Sequence, residues 1–285
     1  MRTEKQTVKF SKMHGCGNDY IYFNCFDQRI DNPEGLSIRL SDRHFGIGGD
    51  GVILICKSKV ADGKMRMFNL DGSEGKMCGN GIRCVAKFMR DKGLVDKDKF
   101  TIETLSGIIG VELMRHYGEV VGARVDMGKA ILDPAQIPVN LEGEKVINKP
   151  AVIGDREWNI TCVSMGNPHC VTFVKNVDTF ELEKYGPMFE YNELFPERVN
   201  AEFVQTVDRN TLKMRVWERG SGETWACGTG ACASVVAACE NGYCNKDEDV
   251  TVKLIGGELT VRYTSDGEVY LTGNAVNVFD GEVII

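Results

Sequence analysis

The 285 residues are 42% apolar and 26% charged, a globular balance with length enough for one large domain or two ordinary ones. A formal net charge of −7 disfavours nucleic acid or an anionic membrane as partner, while a local basic pocket for a small acid stays compatible with it. The opening "MRTEKQTVKF" has no signal-peptide core and nothing approaches ~18 uninterrupted apolar residues, so the expectation is a cytoplasmic protein with no membrane partner.

In chain order, "YIYFNCF", "GVILIC" and "KMRMF" read as strands. A helix, "GIRCVAKFMRDKG", follows the tetrapeptide "CGNG" at Cys78 and stops at Gly93. After the strand-like "GVELM" and "GARVDM", the Pro- and Asn-containing "DPAQIPVNLEGEKVINKP" (133–150) is a connector that starts a second half. "CVTFV", "FVQTV" and "KMRVW" are its strands, "GACASVVAACENG" behind Cys227 its helix, and "VTVKLI", "LTVRY" and "GEVYLTG" further strands. "VNVFDGEVII" is a strand left over at the end. This is an α+β pattern, strand-rich with few helices, rather than regular βαβα alternation.

The two halves repeat. "KMRMFNLDGSEGKMCGNG" from Lys64 and "KMRVWERGSGETWACGTG" from Lys213 align without a gap at an offset of 149 (213 − 64). At that offset Cys78 falls on Cys227, Gly17-Asn18 on Gly166-Asn167, and Gly93 on Gly242. One register across so many positions favours a duplicated domain over chance agreement of Gly-rich loops. The expected lobes are 1–126, completed by 275–285, and 127–274.

Eleven cysteines, an odd count with no secretory signal and no CxxC, argue against a disulfide framework, a zinc knuckle or a thioredoxin-type dithiol, so no metal is expected. Cys25, Cys56, Cys162, Cys170, Cys239 and Cys244 read as small buried hydrophobes in apolar strands or helices. Cys78 and Cys227 differ, because their glycine surroundings describe an exposed turn. A helix start is worth ~0.3–1 kcal/mol to an anion, up to ~2 when partly buried, which lowers a thiol by roughly one unit. Such a thiol can act as base in one direction and acid in the other. Gly79-Asn80 and Gly228-Thr229 bring backbone N–H groups close to a ligand carboxylate. Two such thiols on opposite faces of a carbon beside a carboxylate would invert its configuration without a redox cofactor or pyridoxal phosphate. Rival readings are a racemase of another amino acid, such as proline, and a thiol-redox or metal-binding protein.

The motifs "HGCGNDY", "RHFGIGGDG", "FNLDGSEGKMCGNGIRC", "SMGNPHC", "FPERVNAEFV" and "WERGSGETWACGTGACA" resemble those of the diaminopimelate epimerase family, in the family's order from residue 14 to 233. The resemblance implies two pseudo-symmetric lobes, each wrapped around a central helix, with the active site in the cleft between them. It implies interconversion of LL- and meso-2,6-diaminopimelate by the catalytic pair Cys78 and Cys227, with no cofactor. The setting would be lysine biosynthesis, with peptidoglycan left open, and the assembly a homodimer. Asn18, Asn69, Asn167, Asn200 and Arg219 would bind substrate, chiefly its distal end. Glu218 would hold an amino group, and Gly79, Asn80, Gly228 and Thr229 the carboxylate at the reacting carbon. His169 is similar to a supporting family histidine. Chemistry agrees, since a guanidinium can grip a carboxylate bidentately and a glutamate can answer an ammonium. Asn18 as a structural turn residue, His169 as a packed residue and Glu218-Arg219 as an exposed charge pair are the plainer alternatives. In two places the chain departs from the family pattern: Gly51 where many members carry glutamine, and Asn274 where proline is frequent.

Overall fold

A computed structural model describes residues 6–285, so the first five residues of the expected 1–126 lobe lie outside the described residues. The chain divides into two compact units: one runs through Val125 and is completed by Gly273–Ile285, and the other is Asp126–Thr272.

The first unit contains β1 (Thr7–Gly15), β2 (Asn18–Cys25), α1 (Pro33–Ser41), β3 (Gly51–Cys56), β4 (Gly63–Asn69), β5 (Glu74–Gly75), α2 (Gly79–Asp91), β6 (Lys99–Thr104) and β7 (Gly107–His116). Next, β8 (Glu119–Lys129) pairs antiparallel with β7 and carries the chain onward. Alternation along β1 and β2 puts Val8, Phe10, Ile21 and Phe23 into a core shared with Leu36, Leu40, Val52, Leu54 and Phe68. Each such side chain contributes about 1.5–3 kcal/mol by leaving water. The second helix, α2, is buried on nearly every side, through Ile82, Cys84, Val85, Ala86, Phe88 and Met89, and packs against β1, β2 and β7.

The second unit contains β9 (Lys149–Ile153), β10 (Arg156–Ser164), β11 (Pro168–Phe173), α3 (Leu182–Glu190), β12 (Asn200–Asp208), β13 (Thr211–Glu218), β14 (Gly222–Thr224), α4 (Gly228–Glu240), β15 (Asp249–Leu254), β16 (Gly257–Tyr263) and β17 (Glu268–Asn274). Trp158, Tyr185, Phe189 and Phe203 anchor its core. Small residues from Ala231 to Ala238 let β10–β13, β15 and β16 all approach α4. The last strand, β18 (Val276–Ile284), pairs antiparallel with β1 in the first unit.

The offset of the sequence repeat holds in three dimensions. Helix α3 starts 149 residues after α1 (182 − 33), and α4 starts 149 after α2 (228 − 79). Parallel pairing of β2 with β3 places Tyr20 opposite Gly51, and β11 with β12 places His169 opposite Asn200, again 149 apart in each position. A bidentate ion pair recurs as well: Arg66 Nε meets Glu74 Oε1 at 2.7 Å, as Arg215 Nε meets Glu223 Oε1 at 2.7 Å. The sequence reading assigned one helix per half, whereas each unit has a second, short one. Helix α1 is nine residues whose buried face, Pro33, Leu36, Ser37, Leu40 and Ser41, is partly serine, and α3 contains Pro187, so neither carries a strong apolar helical signal in the sequence.

Candidate active site

Each unit builds one cysteine into the start of its central helix. Cys78 is the N-cap of α2, extended at φ −134° and ψ 115°, and its sulfur accepts from Gly81 N–H at 3.2 Å. Cys227 caps α4 in the same way, with Gly230 N–H donating to its sulfur at 3.3 Å. The first backbone carbonyls of the helices accept from Ile82 and Ala231. Gly79 and Asn80, like Gly228 and Thr229, are therefore the first two residues of their helices, where backbone amides point out of the helix start.

Around Cys78 the geometry starts from a hairpin. β1 and β2 are joined through Cys16 (φ 54°) and Gly17 (φ 78°), a left-handed two-residue turn that delivers Asn18 as the first residue of β2. Asn18 Nδ2 donates to Asp50 Oδ2 at 2.7 Å, leaving its Oδ1 to accept from the Cys78 thiol at 3.3 Å. Arg43 in turn clamps Asp19 and Asp50 at 2.7 and 2.9 Å. Burial pushes the Asp19 carboxyl up, but Arg43 and Lys12 outweigh it and hold the group below the usual carboxylate range. Behind the cap, the fully buried Arg83 donates to Gly79 O at 2.8 Å and to Asn80 Oδ1 at 2.9 Å. Asn69 ends β4, half-buried, its Nδ2 donating to Ser73 Oγ at 3.0 Å across the following turn.

Around Cys227 the partners are different. Thr229 Oγ1 lies 3.5 Å from the sulfur and accepts from Asn167 Nδ2 at 3.3 Å. Asn167 Oδ1 meets His169 Nε2 at 3.1 Å, and His169 Nδ1 meets Glu202 Oε1 at 2.7 Å. Asn200 turns toward main chain: Nδ2 donates to Pro168 O at 2.8 Å and Oδ1 accepts from Arg219 N–H at 2.9 Å. Asn200 thereby fixes the backbone that leads into Glu218 and Arg219. Glu218 accepts from the Thr224 hydroxyl, and the exposed Arg219 donates to Glu197 O at 2.9 Å.

The structure corrects the sequence reading of the thiols. Cys227 is not in an exposed turn but only 6% exposed. Its thiol is pushed well above the ordinary value rather than lowered, first by burial and then by the Glu218 carboxylate, against the weaker pull of Thr229 and Gly230. Loss of solvent outweighs the field of a helix end. Cys78 is half-buried, as are Cys25, Cys56 and Cys239, which the sequence reads as small buried hydrophobes, and all eleven cysteines are free thiols. A side chain at Gly51 has no room: a Cβ there would lie 2.0 Å from Phe68 O. Sequence reasoning missed Arg83, Asp50 and Glu202. A lone Glu two residues after Asn200, on the same face of an apolar strand and one strand from His169, was the available signal. Among the described residues no group of three or more His, Cys, Asp or Glu is placed to hold a metal ion, and no helix is long and apolar enough to cross a membrane.

Comparison of the sequence with known proteins agrees on one family. The family model described as diaminopimelate epimerase matches residues 10–132 and 161–278. Diaminopimelate epimerase of Acetivibrio thermocellus is 55% identical over 277 residues, 97% of this chain and 98% of that protein. That of Methanococcus maripaludis is 55% identical over 279 residues, 98% of this chain and 100% of its own. Among solved structures, a phenazine biosynthesis protein of the PhzF family from Bacillus anthracis has the same fold, with a TM-score of 0.71 at 19% identity, covering 98% of this chain and 100% of its own.

Proposed function

The chain belongs to the diaminopimelate epimerase family, and from that premise we propose that Cys78 and Cys227 are the two acid–base groups of its reaction. The enzyme is an isomerase acting on diaminopimelate. One thiolate takes the proton from the α carbon and becomes a thiol. The other thiol delivers its proton to the opposite face and becomes a thiolate. The carbon is inverted, LL- and meso-diaminopimelate interconvert, and the two cysteines exchange protonation states with no net change in charge.

The observation that carries this reading is the matched pair of caps, each sulfur receiving a backbone N–H at 3.2 or 3.3 Å from the third residue of its helix. Those contacts stabilise whichever sulfur is ionised. The charge that develops on the substrate carboxylate needs donors already in place, and a single such donor is worth about 3–4 kcal/mol of barrier. Gly79, Asn80, Gly228 and Thr229 supply them. Asn18, Asn69, Asn167, Asn200, Glu218 and Arg219 complete substrate binding, with Asn200 contributing through the backbone it holds. His169 supports the Cys227 side. The reading includes a cytoplasmic setting, supported by eleven free thiols, and service to lysine synthesis, with peptidoglycan a further outlet for the meso product. It also includes a homodimer, for which the exposed Val276, Val278, Phe279 and Ile284 of β18 offer apolar surface.

Reduced protein and LL-diaminopimelate in D2O, without pyridoxal phosphate, test the chemistry by chiral separation and mass. Meso product gaining one α-deuterium, lost in both Cys78→Ala and Cys227→Ala, supports the two-thiol reading. Exchange that survives either substitution overturns it.

A further inference from the structure

Beneath Cys227 lies a carboxyl group to which the two-thiol reaction gives no task. Glu202 is fully buried on β12, its Oε1 2.7 Å from His169 Nδ1 and its Oε2 without a hydrogen-bond partner. It also lies against the first turn of α4. A Cβ at Gly230 would come within 2.7 Å of Glu202 Oε1 and 3.2 Å of Cys227 Sγ, so the missing side chain is what admits the carboxyl beside the thiol. An apolar residue would fill this strand position without leaving a buried oxygen unpaired.

The direction of the hydrogen bonds can be read outward from Thr229. Its oxygen accepts from Asn167 Nδ2, which turns Asn167 Oδ1 toward His169 and makes Nε2 the protonated ring nitrogen. Nδ1 then needs a donor, and Glu202 Oε1 is the atom it faces. Burial raises the Glu202 carboxyl against the pull of His169, the direction that such a donor requires. At the other end, Thr229 still has its own hydroxyl hydrogen to point at the Cys227 sulfur, 3.5 Å away. The charged or titratable groups set about Cys227 are thus Glu218 from β13, Glu202 from β12 and, through Asn167 and Thr229, His169 from β11.

We propose that Glu202 is a positioning residue: through His169 it fixes the direction of a hydrogen-bond chain, His169–Asn167–Thr229, that ends on the Cys227 sulfur. Its effect on rate rests on the two-thiol reading, while its effect on His169 does not. Without a donor at Nδ1 the imidazole can take the other tautomer. Asn167 must then turn over and Thr229 donate to it, which withdraws the hydroxyl hydrogen from the thiolate.

The experiment compares Glu202→Gln, whose amide N–H can still donate to Nδ1, with Glu202→Met, which cannot. 15N NMR of the ring nitrogens reads the tautomer among the four histidines, with His169→Asn assigning the resonance. The expected result is an Nε2–H ring in the parent and in Glu202→Gln, and a mixed or reversed ring in Glu202→Met. The α-deuterium exchange assay should give kcat within about fivefold of the parent for Gln. For Met it should fall on the order of 10–100-fold, with KM changed less than about threefold and the pH limb of Cys227 moved upward. In a His169→Asn background, Glu202→Met should cost nothing further. An Nδ1–H ring in the parent, or a Met variant with parental tautomer and kcat, overturns the proposal. So does a loss that multiplies with His169→Asn. If no variant, parent included, exchanges the substrate, the two-thiol reading fails and the tautomer result still judges Glu202.

Discussion

Arg83 Nη1 donates to the carbonyl oxygen of Gly79 at 2.8 Å, so a fully buried cation grips the first turn of the helix that Cys78 caps. Its other acceptors, Asn80 Oδ1 at 2.9 Å, Asn274 O at 3.4 Å and the buried Cys16 thiol at 4.0 Å, are neutral groups that leave the guanidinium charge uncancelled. A buried cation is costly. Placed behind a helix start, it strengthens the positive field where the proposed two-thiol reaction would hold a carboxylate and a thiolate. Arg83→Met should lower kcat for α-proton exchange on the order of 10–100-fold. Arg83→Lys should restore little, because one ammonium cannot span both oxygens. Parental kcat in a folded Arg83→Met protein would leave Arg83 a packing residue only.

The two thiols have like caps and unlike surroundings. Cys78 is half-buried and touches Asn18, whereas Cys227 is 6% exposed, pushed upward by burial, and flanked by Glu218 and Glu202. In the free enzyme iodoacetamide should therefore label Cys78 at least about tenfold faster than Cys227 at pH 8, since only thiolate reacts. Peptide mass mapping at timed intervals measures both rates in one sample. Equal rates would mean that burial does not distinguish the two halves.

The repeated Cys-Gly-x-Gly and its offset of 149 made the duplication, the central helices and the two caps legible, because backbone geometry follows from glycine spacing and helix period. What escaped the sequence is burial. Nothing local to "WACGTG" says that Cys227 is nearly shut off from solvent, since its cover comes from strands distant in the chain. Arg83 and Glu202 look like ordinary charges in "GIRC" and "NAEFV"; only packing places each one at the foot of a cap. The motif marks Asn200 as a substrate residue but says nothing of its partners in the fold, Pro168 O and Arg219 N–H, main chain that only the pairing of β11 and β12 brings near.

Burial of thiols also sets the alkaline limit of the fold. Desolvation raises Cys84 to about 11 and Cys244 to about 11, and it raises Cys227 as well, from the ordinary thiol value of 9.0. A thiol raised on folding favours the folded state fully below its unfolded value and loses that contribution as pH climbs toward the folded one, because the unfolded chain ionises first. For fully buried Cys84 the loss from pH 9 to 11 is about 3 kcal/mol at ~1.4 kcal/mol per unit. Urea unfolding in reductant should show stability dropping steadily above pH 9, with a shallower drop in Cys84→Val. A flat profile to pH 10.5 would contradict it.

Gly51 stands where many members of the family carry glutamine, and restoring that residue should harm this enzyme. A Cβ at 51 would lie 2.0 Å from Phe68 O and 2.9 Å from Tyr20 Cε1. The first obstacle is the backbone of β4, which is held in register with β3 by the Gly51–Asn69 and Val52–Phe68 pairs, so it cannot yield without breaking the ladder. Tyr20 is itself only 5% exposed. Overpacking of this kind costs about 1–3 kcal/mol and displaces the start of β3, next to Asp50, which orients Asn18. Gly51→Gln should therefore lower Tm by several degrees, and Gly51→Ala should do much the same, because the clash arises at Cβ rather than at the amide. KM for diaminopimelate should rise in both, since Asn18 loses its Asp50 contact. A Gln variant with parental Tm and a lower KM would mean that β4 gives way and that the glutamine reaches the substrate after all.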